Sequence, residues 1–349
     1  MDMKRGYFED IQMFSSGVVL FWFLVLMVFL ALLPILFKNY YVYVANYIAI
    51  NIIVVVGLNI LVGYTGQISL GHAGFFAIGA YGTIALMTEA HLPFLLALIL
   101  AALAAALLGF LLGLPALRLE GPYLAIATLG FGVAITQVIG KIEIFGGRQG
   151  LNAPDLVIGP WTLNTDRDFY YLLMPITVFL VVFARNLIKT KVGRAFIAIR
   201  DADIAAETMG VNLLYYKTLA FAVSAFYAGV GGGLYAFVLR FIEPGLFSLF
   251  MSVMFLTMAV VGGLGSIMGP IAGAALLGWL DLELRNILSI PYLGQWLKSL
   301  SQSYFSLTGV SNIQFIIFGL ILIVIMVFEP HGLFGYWIRV KKYWKTWPF

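Results

Sequence analysis

Seven apolar runs, 17–37, 41–62, 93–114, 122–140, 169–184, 218–239 and 312–328, constrain this chain more than any other feature. Each approaches or reaches the roughly 20 residues that a helix needs to cross a bilayer. In hydrocarbon every backbone N–H and C=O must find a partner within the protein, so only helices and closed barrels can span. The runs are continuous and do not alternate, which excludes the barrel. Composition agrees, with 62% hydrophobic and 10% charged residues against about a quarter charged in soluble domains. The expected fold is all-α, a polytopic transmembrane helical bundle. Run 17–37 is longer than a secretory signal core of roughly 7–15 residues, and no small-residue cleavage site follows it, so it reads as a span.

Several chemistries drop out early. The chain has no cysteine, which removes disulfides and thiolate metal sites, and His72, His91 and His331 are too scattered to suggest a metal cluster. Neither a resident metal nor a cofactor is expected, and nothing suggests nucleic acid. The sequence holds no G-x-x-x-x-G-K-[ST] phosphate loop, so it cannot itself supply ATP chemistry. The spans show no paired carboxylates and no nucleophile with a base, leaving a membrane enzyme without support.

Basic residues orient the spans. Arg185, Lys189, Lys191, Arg194 and Arg200 fall within sixteen residues that contain no acid, and the tail carries Arg339, Lys341, Lys342 and Lys345. Both segments are expected in the cytoplasm by the positive-inside rule. The loop 141–168 mixes both signs and suits the outer side. Counting spans back from there puts the turn at Arg118 inside, the turn 89–92 outside, and the N-terminus with Lys4 and Arg5 inside.

Parity then bears on the second half. Span 218–239 leaves the cytoplasm and the tail after Phe328 must return to it, so the chain between crosses an odd number of times. Run 312–328 supplies one crossing, which leaves 252–280 an even number. Its 29 residues are too few for two spans of about 20 each. A hairpin turning within the membrane at 260–266 is expected, with 281–311 lying outside as an interfacial or extracellular element.

That turn lies in one of two similar glycine-rich stretches. GYTGQISLGHAGFFAIG (63–79) and GGLGSIMGPIAGAALLG (262–278) share a leading G-x-x-G followed by further glycines every three to five residues. A transporter built from two related halves would show such stretches in corresponding places. Glycine lets helices pack closely, and it also lets a helix break where backbone lines a cavity. About 8–10 membrane segments are expected, including broken or re-entrant glycine-rich helices. Tyr64, Thr65, Gln67, Ser69, Gly71 and His72 are the candidates for a translocation pathway, because polar groups in lipid must face protein or water. Gln67, Ser69 and His72 cannot share one narrow helical stripe, which favours a broken segment. The competing readings are a small-residue packing face for the glycines and a hydrogen-bonded packing residue for His72.

The loop KVGRAFIAIRDADIAAETMGVNLLYYK (191–217) carries a helix signal. Asp201 or Asp203 can cap its start, Ala205, Ala206, Glu207, Thr208 and Met209 continue it, and Gly210 can end it. A two-turn helix is too short to stand alone, so it requires a partner surface. Ile204, Ala205 and Met209 are expected to enter a groove on that partner, with Arg194, Arg200 and Glu207 at the rim. A helix lying on lipid is the weaker alternative, since alanines offer lipid little apolar area.

These residues carry a resemblance. GLNILVGYTGQISLGHAGFFAIGAY, LRLEGPYLAIATLGFG, GRAFIAIRDADIAAETMGVN, VVGGLGSIMGPIAGAALL and FEPHGLFG, collinear over roughly residues 45–335, resemble the permease subunits of bacterial branched-chain amino acid ABC importers of the LivM type. The resemblance implies one permease domain over 1–349, in the bacterial inner membrane, with a first half at 17–188, a cytoplasmic coupling loop at 189–216 and a second half at 217–349. It also implies a LivH-like permease partner, two ATP-binding subunits and a periplasmic substrate-binding protein, with ATP hydrolysis left to the partners. Ala205, Ala206 and Gly210 match the family's E-A-A-x-x-x-G coupling motif, while Ile204 stands where that motif has an acid. Permeases for urea or short amides are the alternative within the superfamily. A stand-alone secondary transporter is the alternative outside it, though such carriers usually place ionisable groups in their spans.

Overall fold

The computed structural model describes residues 17–116, 119, 121–158, 161–163, 165–289, 310–329 and 332–346. The expectations for Lys4, Arg5, Arg118 and His331, and for most of 281–311, fall outside the described residues. The rest is a helical bundle, and seven of its helices are long and apolar enough to cross a membrane.

Two helices make its centre. Helix α1 (Gly17–Leu36) lies at the rim, whereas α2 (Asn39–Thr65) is buried almost throughout. It packs against α6 (Asp166–Lys189), α9 (Leu213–Leu239) and α11 (Met268–Ser289), while α3 (His72–Thr88) and α4 (Phe94–Ala116) pack on α9, the second central helix. Because lipid tails are as apolar as leucine, helices in a bilayer associate by close packing. The sequence supplies small residues where that packing is tightest. A Cβ at Gly79 on α3 would collide with the Gly229 carbonyl of α9, and one at Gly232 would collide with the Phe76 carbonyl of α3. At Gly229 a Cβ would stand 2.9 Å from the Ala102 Cα of α4. Gly79 of α3 and Gly229 and Gly232 of α9 are therefore packing residues, which for Gly79 is the packing reading of the stretch 63–79.

Several polar side chains inside the bundle bond groups on neighbouring helices. Asn46 of α2 donates to the Asp166 carbonyl at the start of α6 at 2.9 Å, and the Tyr47 hydroxyl donates to the fully buried Asp281 carboxylate of α11 at 3.0 Å. Residues 281–289 thus continue α11 as helix, where sequence reasoning expected an interfacial element. Pro34 in α1 has no N–H, so the Leu30 carbonyl one turn back lacks its helical donor. The Tyr170 hydroxyl of α6 fills that vacancy at 2.7 Å and ties the peripheral helix to the bundle.

One end of the bundle gathers the functional segments. Helices α7 (Lys191–Asp201) and α8 (Asp203–Thr208) follow α6 there, and α5 (Pro122–Ile139) begins beside them. Thr190 caps α7 by accepting from Val192 N–H at 3.2 Å, and Asn212 caps α9 by accepting from Tyr215 N–H at 3.0 Å. Helix α10 (Leu249–Gly262) runs to this same end and turns at 263–267 into α11. The hairpin is therefore present, but its turn lies level with the last turns of α2, touching Asn59 and Gly63, and not halfway through. Helix α12 (Val310–Phe328) contributes to a further candidate span, and α13 (Gly332–Thr346) starts against the turn, where Gly332 meets Gly263. At the opposite end a short antiparallel pair joins β1 (Leu151–Asn152) to β4 (Phe241–Ile242), and β2 (Val157–Ile158) pairs with β3 (Trp161–Thr162).

Candidate functional site

The chain breaks between α2 and α3. Gly66 takes φ +72°, its N–H bonds the Val62 carbonyl at 3.1 Å, and Gln67 N–H reaches the Leu61 carbonyl at 3.2 Å. This is the hydrogen-bond pattern of a left-handed glycine helix stop. Residues 66–71 then run without helix into the bundle before α3 begins at His72. Irregular backbone at such depth persists only where protein or water satisfies it, and here neighbouring helices do so. Thr128 of α5 accepts from Leu70 N–H at 2.9 Å, and Ser252 of α10 accepts from Ala73 N–H at 2.9 Å.

His72 closes the break. Its ring is fully buried, with Nδ1 3.2 Å from the Ser69 hydroxyl and Nε2 2.7 Å from the Ser224 hydroxyl of α9. Both ring nitrogens are engaged, so His72 and Ser69 hold the unwound segment against α9. Gly71 is pressed against the Thr128 carbonyl, which a Cβ would strike, and Tyr64 is buried. Of the six pathway candidates, Thr65 and Gln67 line an open cavity.

That cavity is where the two sets of sequence candidates meet. It has a volume of about 300 Å³ and lies between the break, the start of α5 and the α7–α8 loop. Thr65 and Gln67 face it from one side, Arg200, Asp201 and Asp203 from the other, with Lys217 of α9 at its edge. Gln67 is buried, its amide donates to the Thr65 hydroxyl at 2.9 Å, and its carbonyl oxygen has no partner among the described residues. A smaller cavity of about 110 Å³, bordered by Leu70, Thr136 and Ser252, lies beside the start of α3.

The loop divides into an anchored face and a free face. Phe196 and Ile199 of α7 and Ala206 of α8 are buried against the bundle, and Lys217 pairs with Asp203 at 3.4 Å. Asp203 also accepts the Ile204 N–H at 2.8 Å, and Gly210 with φ +86° follows the end of α8. Ile204 is 77% exposed and Met209 85% exposed, while Arg194, Ala205 and Glu207 also face outward. Two large apolar side chains thus stand free, one on a six-residue helix too short to be stable by itself and one just past its end. Arg200, expected at the rim, instead turns inward, donating to the Gly63 carbonyl at 3.0 Å and to Asp201 at 3.0 and 2.9 Å.

Sequence reasoning missed Asn59, Thr128, Lys217, Ser224 and Ser252. Four of them are polar residues within apolar spans, a signal that marks internal contacts, but their partners lie 58 to 207 positions away in the chain. Lys217 stood at the end of the loop without an assigned role.

Comparisons with known proteins bear on this geometry. The profile of the family described as "Branched-chain amino acid transport system / permease component" matches residues 40–326. The chain is 34% identical over 260 residues to the high-affinity branched-chain amino acid transport system permease protein LivM of Salmonella typhimurium and to that of Escherichia coli. Each alignment covers 67% of this chain and 61% of the relative, so the match spans about three fifths of those proteins. It is also 25% identical over 184 residues, 48% of this chain and 58% of the relative, to the permease protein LivH of Salmonella typhimurium.

Proposed function

The chain belongs to the family of branched-chain amino acid transport system permease components, and from that premise we propose that it is one of two permease subunits of a bacterial ABC importer. A LivH-like subunit forms the pathway with it, two ATPase subunits drive it from the cytoplasm, and a periplasmic protein delivers leucine, isoleucine or valine. The similarity to both LivM and LivH proteins supports a paired permease.

The observation that carries this reading is the anchored helix α8 with Ile204 and Met209 left free. Ala206 and the Asp203–Lys217 pair hold the helix to the bundle, so a partner that grips the exposed side chains pulls on α9 directly. An apolar knob seated in a groove is a standard mode of helix recognition. In this reading the α7–α8 end faces the cytoplasm, in keeping with five cations in 185–200. Closure of the ATPases moves α8, and the cavity beside Thr65 and Gln67 lies next to the parts that move.

The test is reconstitution of the importer, purified through a tag on this chain, into proteoliposomes. ATP-dependent accumulation of labelled leucine, isoleucine or valine is expected, and accumulation without any ATPase subunit would overturn the proposal. Uptake of urea or short amides in place of the amino acids would keep the importer and change its substrate. Ile204→Asp puts a charge into the apolar contact and is expected to strip the ATPases during purification while leaving the chain in the membrane.

A further inference from the structure

We propose that Arg200 is the positioning residue that joins the coupling loop to both glycine breaks at once, so that one movement of the loop reaches both. The inference rests on the importer reading above and adds the route by which force enters the membrane part.

Gly66 and Gly265 occupy equivalent places in the two glycine-rich stretches, and both are left-handed, with φ +72° and +75°. The aliphatic stem of Arg200 lies against the first, where a Cβ on Gly66 would stand 3.5 Å from Arg200 Cγ. Its guanidinium lies against the second, where a Cβ on Gly265 would stand 2.8 Å from Nη1. The same Nη1 donates to the Gly63 carbonyl at 3.0 Å. That carbonyl belongs to the last turn of α2, whose terminal C=O groups lack helical donors and whose dipole favours a cation. Asp201 accepts from Nε at 3.0 Å and Nη2 at 2.9 Å, which fixes the plane of the fork. Asn59 completes the junction from α2, accepting from Gly265 N–H at 3.0 Å and donating to the Ser266 carbonyl at 2.8 Å.

One side chain on α7 thus touches the end of α2 and the α10–α11 turn, the two points where the bundle leaves helix beside the loop. Displacing α7 must carry both or break the contact. The Arg200 side chain is 37% exposed, so solvent screens its ion pair and little of the fold depends on it. Lysine carries the charge without the planar fork, and so holds one of these partners and not the set.

The experiment measures solute accumulated per ATP hydrolysed by the whole importer in proteoliposomes. Arg200→Gln is expected to lower that ratio about tenfold, within the span of coupling energies between sites, and Arg200→Lys to fall between Gln and wild type. Gly265→Ala, which displaces Nη1 without altering the loop, is expected to lower the ratio as well. A purely structural role would reduce uptake and hydrolysis together and leave the ratio unchanged. If Arg200→Gln fails to assemble, Arg200→Lys and Gly265→Ala carry the test, and wild-type ratios in both overturn the proposal. Wild-type importer that accumulates nothing with ATP would overturn the functional reading itself. A working wild type with an unaltered Arg200→Gln ratio overturns only the role of Arg200.

Discussion

The stretches 63–79 and 262–278 share a glycine spacing and a left-handed glycine, yet they build different structures. In the first, the chain stays unwound over 66–71 and threads back into the bundle; in the second, it turns sharply at 263–267 and the two helices run on as a hairpin. The difference lies in the neighbours. Thr128 receives Leu70 N–H within the break and Ser252 receives Ala73 N–H just after it, while Ser224 holds the His72 ring at its end. The turn at 263–267 has Gly262 packed on the Gly269 carbonyl and Ser266 accepting from Gly269 N–H at 2.9 Å, so its own residues brace it and one side chain of α2, Asn59, serves both its Gly265 N–H and its Ser266 carbonyl. Glycine permits a break, and the surrounding donors decide its form.

Substitutions at matched positions can break this comparison. Gly79→Ala drives a methyl into the Gly229 carbonyl at the centre of the bundle, and a loss of about 3 kcal/mol or more in folded stability is expected in a detergent unfolding titration. Its counterpart Gly278→Ala meets the ends of the Asn51 and Ile48 side chains at 3.3 and 3.4 Å. That change is expected to cost less than about 1 kcal/mol, and equal losses at the two sites would remove the distinction drawn here.

Ser224→Ala leaves His72 Nε2 buried without its partner, an expected loss of about 1–3 kcal/mol. Hydrogen exchange should then quicken at residues 66–72 and not at 263–267. At the left-handed positions, Gly66→Ala has room for its methyl but bears the backbone strain of about 1–2 kcal/mol. Gly265→Ala bears the same strain and also pushes on Arg200. The smallest effect expected is therefore their difference, which a melting-temperature comparison on an Arg200→Ala background should abolish.

Much of this was written locally. The apolar runs at 41–62 and 218–239 sit within α2 and α9, the run 93–114 matches α4 to within two residues, and the break between Tyr64 and His72 was visible in the clash of glycines and polar residues with an apolar surround. The short loop helix was visible too, ending just before Gly210, but neither Asp201 nor Asp203 caps its start: the N-cap is Ala202, which offers no side-chain acceptor, and Asp203 is already the first helical residue. What the loop sequence could not give was the direction of its side chains. Arg194 and Arg200 look alike in the chain, yet one faces outward and the other bonds the Gly63 carbonyl 137 positions away. Among the pathway candidates, Gln67 and His72 were equally polar on paper, but His72 is sealed by two hydroxyls while Gln67 reaches the cavity.

The sequence by itself determined that this chain is a membrane-spanning helical bundle, because a hydrocarbon surround leaves a continuous apolar run no other way to satisfy its backbone. It also determined where helices can stop, because a left-handed turn is open to glycine at little steric cost. Only the tertiary structure decided which polar residues became struts and which stayed free. A hydroxyl or guanidinium inside a bilayer must find a partner, and that partner is set by which helices pack together, a relation between distant segments that no local pattern contains.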